Sequence, residues 1–127
     1  VTKLIVGAAI LQDGRLLAAE RAYPAELAGF WELPGGKVEE GEPEHDALIR
    51  ECREELGVDL TLHHRVGDDW PLGEHGVMRV WTATITNGTP TAHEHAALRW
   101  LTKDELHDVT WLPGDLPILP ELARLLP

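Results

Sequence analysis

An α/β (α+β) domain, with at least one helix packed against a sheet, is predicted by three features of the sequence. Apolar runs at residues 3–11 and 15–20 flank the turn pair Asp13-Gly14, the arrangement of a β-hairpin. Across residues 43–57, Leu48, Ile49, Cys52 and Leu56 recur at three- and four-residue spacing, the mark of a helix with one buried side. Apolar segments at 60–62, 78–86 and 98–101 supply further strands, and an amphipathic segment at 118–126 supplies a last helix. With 127 residues, 43% of them hydrophobic and 26% charged, the chain suffices for one core, and a single domain over 1–127 is expected.

Each element has a local reason. The first hairpin ends at Arg21, which either sits in solvent or contacts a ligand. Residues 23–29 read as a loop, and residues 30–33 as a short strand in which Trp31 and Leu33 share one side and Phe30 takes the other. Pro34-Gly35-Gly36 makes a tight turn, because glycine visits positive φ without steric cost. Pro43 suits the first turn of the following helix and Gly57 its stop. Asn87-Gly88-Thr89-Pro90 is a turn, Thr102 with Glu105 forms a capping box for a short helix, and residues 110–117 form a loop before the last helix.

Glu51, Glu54 and Glu55 share one arc of the 43–57 helix, where neighbouring carboxylates repel one another. They form either a solvated acidic face or a cage for a hard divalent ion, Mg²⁺ or Mn²⁺, that also binds phosphate oxygens. His63, His64 and His75 lack the cysteine partners and helical spacing of a zinc centre, and no histidine metal site is expected. The single cysteine excludes an internal disulfide, and there is neither an 18-residue apolar run nor a basic lead before an apolar segment, so a cytoplasmic chain without a membrane span is expected. A formal net charge of −11 and a pI near 4.9 argue against a nucleic-acid polymer as partner. An acidic chain still binds a small phosphate ester when a divalent ion inverts the local field. No apolar stripe beyond the core is evident, which favours a monomer.

The residues Gly36, Glu42, Arg50, Glu51, Glu54, Glu55, Gly57 and Val58 match the Nudix box, G-x5-E-x7-R-E-U-x-E-E-x-G-U, where U is a bulky aliphatic. Cys52 is the one departure, and a small buried hydrophobe there touches packing rather than chemistry. The resemblance covers nearly the whole chain and is nearest the MutT-like group, particularly its CTP pyrophosphohydrolase branch. Residues 28–37 (AGFWELPGGK), the Ala92-His93-Glu94-His95 segment ending at Trp100, and Pro113-Gly114-Asp115-Leu116-Pro117 carry that similarity.

The resemblance implies a Nudix fold, a mixed β-sheet sandwiched between α-helices, and hydrolysis of a nucleoside triphosphate to monophosphate and pyrophosphate. It implies metal ligation by Gly36, Glu51, Glu54 and Glu55, with Arg50 fixing carboxylate rotamers and Glu51 or Glu94 as the general base. Glu42 ties the turn to the helix. Arg21 would meet phosphates, and Lys37 either reaches a phosphate as a point charge or sits in solvent. Trp31 is the first choice for stacking on the base, ahead of Trp111, Tyr23 and Met78. Asp115 either caps the last helix or reads the cytosine amino group, since an ionised carboxylate only accepts hydrogen bonds. The readings weighed are a pyrophosphatase of (d)CTP or modified cytosines, an enzyme that clears 8-oxo-dGTP or 8-oxo-GTP, and a non-catalytic nucleotide-sensing module.

Overall fold

The computed structural model describes residues 3–127; residues 1 and 2, inside the predicted domain boundary, lie outside the described residues. The central strand β1 (Leu4–Gln12) turns through Asp13 and Gly14 into β2 (Arg15–Glu20), and β2 pairs antiparallel with both β3 (Trp31–Glu32) and β8 (Ala97–Leu101). Along its other half β1 pairs antiparallel with β4 (Gly35–Lys37) and parallel with β7 (Val77–Asn87). The outer edge of β7 carries β5 (Asp59–Arg65) and β6 (Trp70–Pro71), both antiparallel. One parallel pair among antiparallel ones makes the sheet mixed, as the resemblance implied.

Two cores, one on each side of β1, explain why its apolar run hardly alternates with polar residues. Val6, Ala8 and Ile10 pack with Leu48, Cys52 and Leu56 of helix α1 (Glu44–Leu56). Ala9, with Ile5 and Leu11 beside it, faces Leu106, Ile118 and Leu122 near the C-terminus. The helix starts one residue later than expected: Pro43 holds the N-cap in an extended conformation, and Glu44 and Asp46 place negative charge at the positive end of the helix dipole. Gly57 ends it in the left-handed region at φ 71°, its N–H returning to Arg53 O.

Three elements differ from expectation. The glycine turn continues into strand β4, because Gly35, Gly36 and Lys37 pair through backbone alone with Gly7, Val6 and Ile5. The strand begun at Leu60 runs on through His63 and His64 to Arg65, across a bulge. The last helix is a 3₁₀ turn, Leu116–Ile118, followed by the short α2 (Leu119–Arg124), with Pro117 and Pro120 setting the break. Among the described residues no helix is long and apolar enough to cross a membrane.

Candidate active site

Helix α1 presents its three glutamates to three environments. Glu55 is buried at 6% exposure, the Glu51 side chain is 19% exposed and that of Glu54 is 53% exposed. Arg50 holds this face together. Its Nε and Nη2 donate to Glu42 at 2.8 and 3.0 Å, Nη1 to Glu51 at 3.0 Å and Nη2 to Lys37 O at 3.2 Å, with Glu54 within 3.4 Å. Glu42 also accepts the Glu39 N–H, and the Arg50 guanidinium beside it lowers its pKa from the usual carboxylate range. Gly36 lies directly under Glu51, and a Cβ there would come within 2.5 Å of that carboxylate, so a side chain would push Glu51 from its place.

The opposite wall is assembled from segments distant in sequence. The last carbonyls of α1 need donors, and the loop after β7 supplies them: Thr91 N–H reaches Leu56 O and His93 N–H reaches Glu55 O, each at 3.0 Å. That docking brings Glu94 and His95 over the helix, while Ala96 N–H ties the loop to Glu20 O. Glu32 comes from β3, and Arg21 follows β2. A cavity of about 150 Å³ results, lined by Arg21, Glu32, Glu51, Glu55, Glu94 and His95. Burial, then the charges of Glu32 and Glu51, push Glu55 up to about 9, although the Gly35 N–H donated to it works the other way. Burial also raises Glu51, against the opposing pull of Arg50.

Glu32, Glu55 and His95 each offer a ligand atom, all within 4.8 Å of one another. An imidazole therefore stands among the carboxylates. It is not one of the three histidines weighed from the sequence. His63 pairs with Thr84, its ring 6.5 Å from that of His64, and His75 sits on the rim of a second cavity.

That second cavity, about 720 Å³, shares Arg21, Glu32 and Gly35 with the first. Its walls are largely apolar, with Leu27, Leu33, Leu72 and Met78 among them, and Gly36 and Lys37 stand along it. Asp115 is the buried acid in its lining, 6% exposed. Asp115 Oδ2 accepts the Leu33 N–H at 2.9 Å across 82 residues of sequence. Burial pushes its pKa up to about 7, against the effect of that N–H. The capping alternative fails for the side chain: Asp115 stands at the N-cap of the 3₁₀ turn, but its carboxylate makes no cap bond.

Trp31 is a correction. It bridges to Trp111 and packs against the C-terminal core, lining neither cavity. Trp111 is core as well, its Nε1–H donated to Leu106 O at 2.7 Å. Met78 does line the wide cavity, and Tyr23, 58% exposed, stands at the narrow one. Lys37 is exposed at the end of β4. Arg21 is engaged, its Nη1 donating to both Glu32 oxygens at 3.2 Å and its Nη2 to Tyr23 O at 3.0 Å. Glu54 lines neither cavity, while Glu51, Glu55 and Glu94 line the narrow one. Glu32 and His95 carry no role in the sequence reading, and their one signal there is membership of the 28–37 and 92–100 segments that bear the family similarity.

A family profile described as NUDIX domain matches residues 1–122. The chain is 46% identical over 129 residues to a Mycobacterium tuberculosis protein named putative 8-oxo-dGTP diphosphatase 2, covering 99% of this chain and 92% of that one. It is 38% identical over 123 residues to the CTP pyrophosphohydrolase of Escherichia coli K12, covering 95% and 91%. Among solved structures, that of the E. coli ORF135 protein superposes with a TM-score of 0.80 at 35% identity, covering 97% of this chain and 89% of that one.

Proposed function

The chain belongs to the Nudix family and is a Nudix hydrolase, and from that premise we propose that it converts a nucleoside triphosphate and water into the monophosphate and pyrophosphate, preferring CTP, dCTP or a modified cytosine nucleotide. The observation that carries the base preference is Asp115 in the wide cavity, one oxygen occupied by Leu33 N–H and the other left for a ligand. An ionised carboxylate accepts, and the cytosine amino group donates. The E. coli CTP pyrophosphohydrolase similarity supports this reading.

A divalent cation fits the narrow cavity. Four carboxylates, Glu32, Glu51, Glu55 and Glu94, share it with one guanidinium, and burial leaves Glu55 holding a proton at neutral pH that a cation would displace. Hard oxygen donors suit Mg²⁺, with Mn²⁺ as the alternative. Glu51 and Glu55, from that lining, would hold it, and Glu54 and the Gly36 carbonyl, which lie outside the lining, would complete the set. The ion, when bound, supplies charge neutralisation at the phosphate oxygens.

The chain's own side chains do the remainder. Arg21, on the ridge between the cavities, donates to phosphate oxygens, and Lys37 adds a point charge along the wide cavity. Arg50 locks Glu51 and Glu42 in single rotamers. Glu94, exposed at the cavity lining, takes the proton of the attacking water; Glu51 is less free for this because Oε1 already accepts from Arg50. The water oxygen bonds to phosphorus, the bridging P–O bond between the α and β phosphates breaks, and pyrophosphate leaves with the electron pair. The reading places a single-domain monomer in the cytoplasm, with a small nucleotide as partner.

A second reading, hydrolysis of 8-oxo-dGTP or 8-oxo-GTP, is favoured by one feature of the same residue: near pH 7 part of the Asp115 population is protonated and donates to a guanine O6. The relative named putative 8-oxo-dGTP diphosphatase 2 supports it. A kcat/KM panel with Mg²⁺ over CTP, dCTP, 5-methyl-dCTP, GTP and 8-oxo-dGTP is expected to place cytosine nucleotides first. An 8-oxo-dGTP lead would establish the second reading, and no pyrophosphate from any of them would overturn both.

A further inference from the structure

We propose that His95 is a positioning residue that sets Arg21 through Glu32, an inference that rests on the triphosphate reading above. The His95 side chain is 6% exposed, its Nε2 lies 2.8 Å from Glu32 Oε2, and Glu32 in turn accepts Arg21 Nη1 through both oxygens. Glu32, as an ionised carboxylate, only accepts, so His95 Nε2–H is the donor in this bond, while His95 Nδ1 is buried without a partner. The same Nε2 is 3.8 Å from Glu55 Oε1, beyond hydrogen-bonding range. The imidazole thus stands between two carboxylates, bonding one and facing the other. Removing it leaves Glu32 with one donor fewer and Arg21 as its remaining side-chain donor. Arg21 and Glu32 belong to both cavities, so their orientation governs where a phosphate chain passes from one to the other. Glu32 and His95 are 63 residues apart in sequence, and the docking of the 91–96 loop on α1 and β2 is what brings them together.

The test uses the full chain with His95→Phe, His95→Gln and Glu32→Gln, each checked by thermal melting. His95→Phe is expected to raise KM for CTP about 10–100-fold, the worth of one hydrogen bond to a charged group, with the Mg²⁺ activation constant unchanged. His95→Gln, which keeps an N–H able to reach Glu32, should recover most of that loss. In a Glu32→Gln background His95→Phe should add little. A His95→Phe cost that persists in full beside Glu32→Gln overturns the proposal, as does a shifted Mg²⁺ constant with KM unmoved, which marks a direct metal ligand. If His95→Phe does not fold, the cycle of His95→Ala with Glu32→Gln decides by the same additivity. Absence of turnover in the unmodified chain refutes the triphosphate reading alone. Positioning is then tested by ¹⁵N NMR of the imidazole, expected as the Nε2–H tautomer, and of the Arg21 guanidinium, expected to shift in His95→Phe and not in His95→Gln; the opposite tautomer or an unmoved guanidinium overturns it.

Discussion

The narrow and the wide cavity adjoin at Arg21, Glu32 and Gly35, yet they are built on opposite principles. The narrow one concentrates ionisable groups, and burial there raises Glu55 and Glu51. The wide one is mostly hydrocarbon around the buried acid Asp115. Clustered, desolvated carboxylates cost stability and are useful only to a cation and phosphates. An apolar chamber with one fixed acceptor costs little and discriminates between ligands by what hydrogen-bonds there. The proposed chemistry and the proposed selectivity therefore sit on different elements and should be separable by mutation.

The sharpest break in that comparison comes from the glutamates. Glu55→Gln should lower kcat/KM by about a thousandfold or more, as the loss of a charged ligand to a catalytic ion does. It should also stabilise the cation-free chain. In the folded state the Glu55 carboxyl titrates at about 9, above its unfolded value, so its stabilising contribution is full below pH about 4.5 and is lost progressively as pH rises towards 9. Neutral glutamine removes that loss, and a melting temperature at pH 8 without divalent ions that is higher by about 3 °C or more is expected. Glu54→Gln should abolish metal-dependent turnover with little change in melting temperature, since its side chain is half exposed. Equal melting shifts for the two variants would erase the difference between buried and open carboxylates.

Glu94→Gln should reduce kcat by about 10²–10⁴-fold, with KM for the nucleotide nearly unchanged, as removal of a general base does. Smaller still, Asp115→Asn should shift the CTP-to-GTP ratio of kcat/KM towards GTP by about 10–100-fold while leaving the dependence on Mg²⁺ alone. Because Asp115 titrates near 7, cytosine preference should strengthen from pH 6 to pH 8 in the unmodified chain and become flat in Asp115→Asn. Leu72→Ala, altering only an apolar wall, should raise KM less than about tenfold and leave kcat in place.

What the sequence revealed follows the range of the interactions. Glu42, Arg50, Glu51, Glu54 and Glu55 lie in or beside one helix, where the 3.6-residue period fixes who neighbours whom, and Arg50 reaches Glu42, Glu51 and Glu54. Strand alternation placed Trp31 and Leu33 on one side, and both do meet the C-terminal core. Alternation cannot say which side faces a cavity, and Trp31, the first choice for stacking under the resemblance, is packed away. The Asp115–Leu33 bond spans 82 residues and the His95–Glu32 bond 63, distances over which only the assembled sheet decides proximity. Strand β4 was hidden because its partners meet through backbone atoms that leave no pattern of side chains.

The central claim is that a cation-holding acidic cleft and a base-reading chamber act on one nucleotide. Pyrophosphate release from CTP with Mg²⁺, measured beside 8-oxo-dGTP and repeated with Glu55→Gln and Asp115→Asn, tests it most directly. The account predicts monophosphate and pyrophosphate as products, loss for both nucleotides in Glu55→Gln, and a changed ratio between them in Asp115→Asn. Turnover that survives Glu55→Gln, or a ratio that Asp115→Asn leaves unmoved, would contradict it.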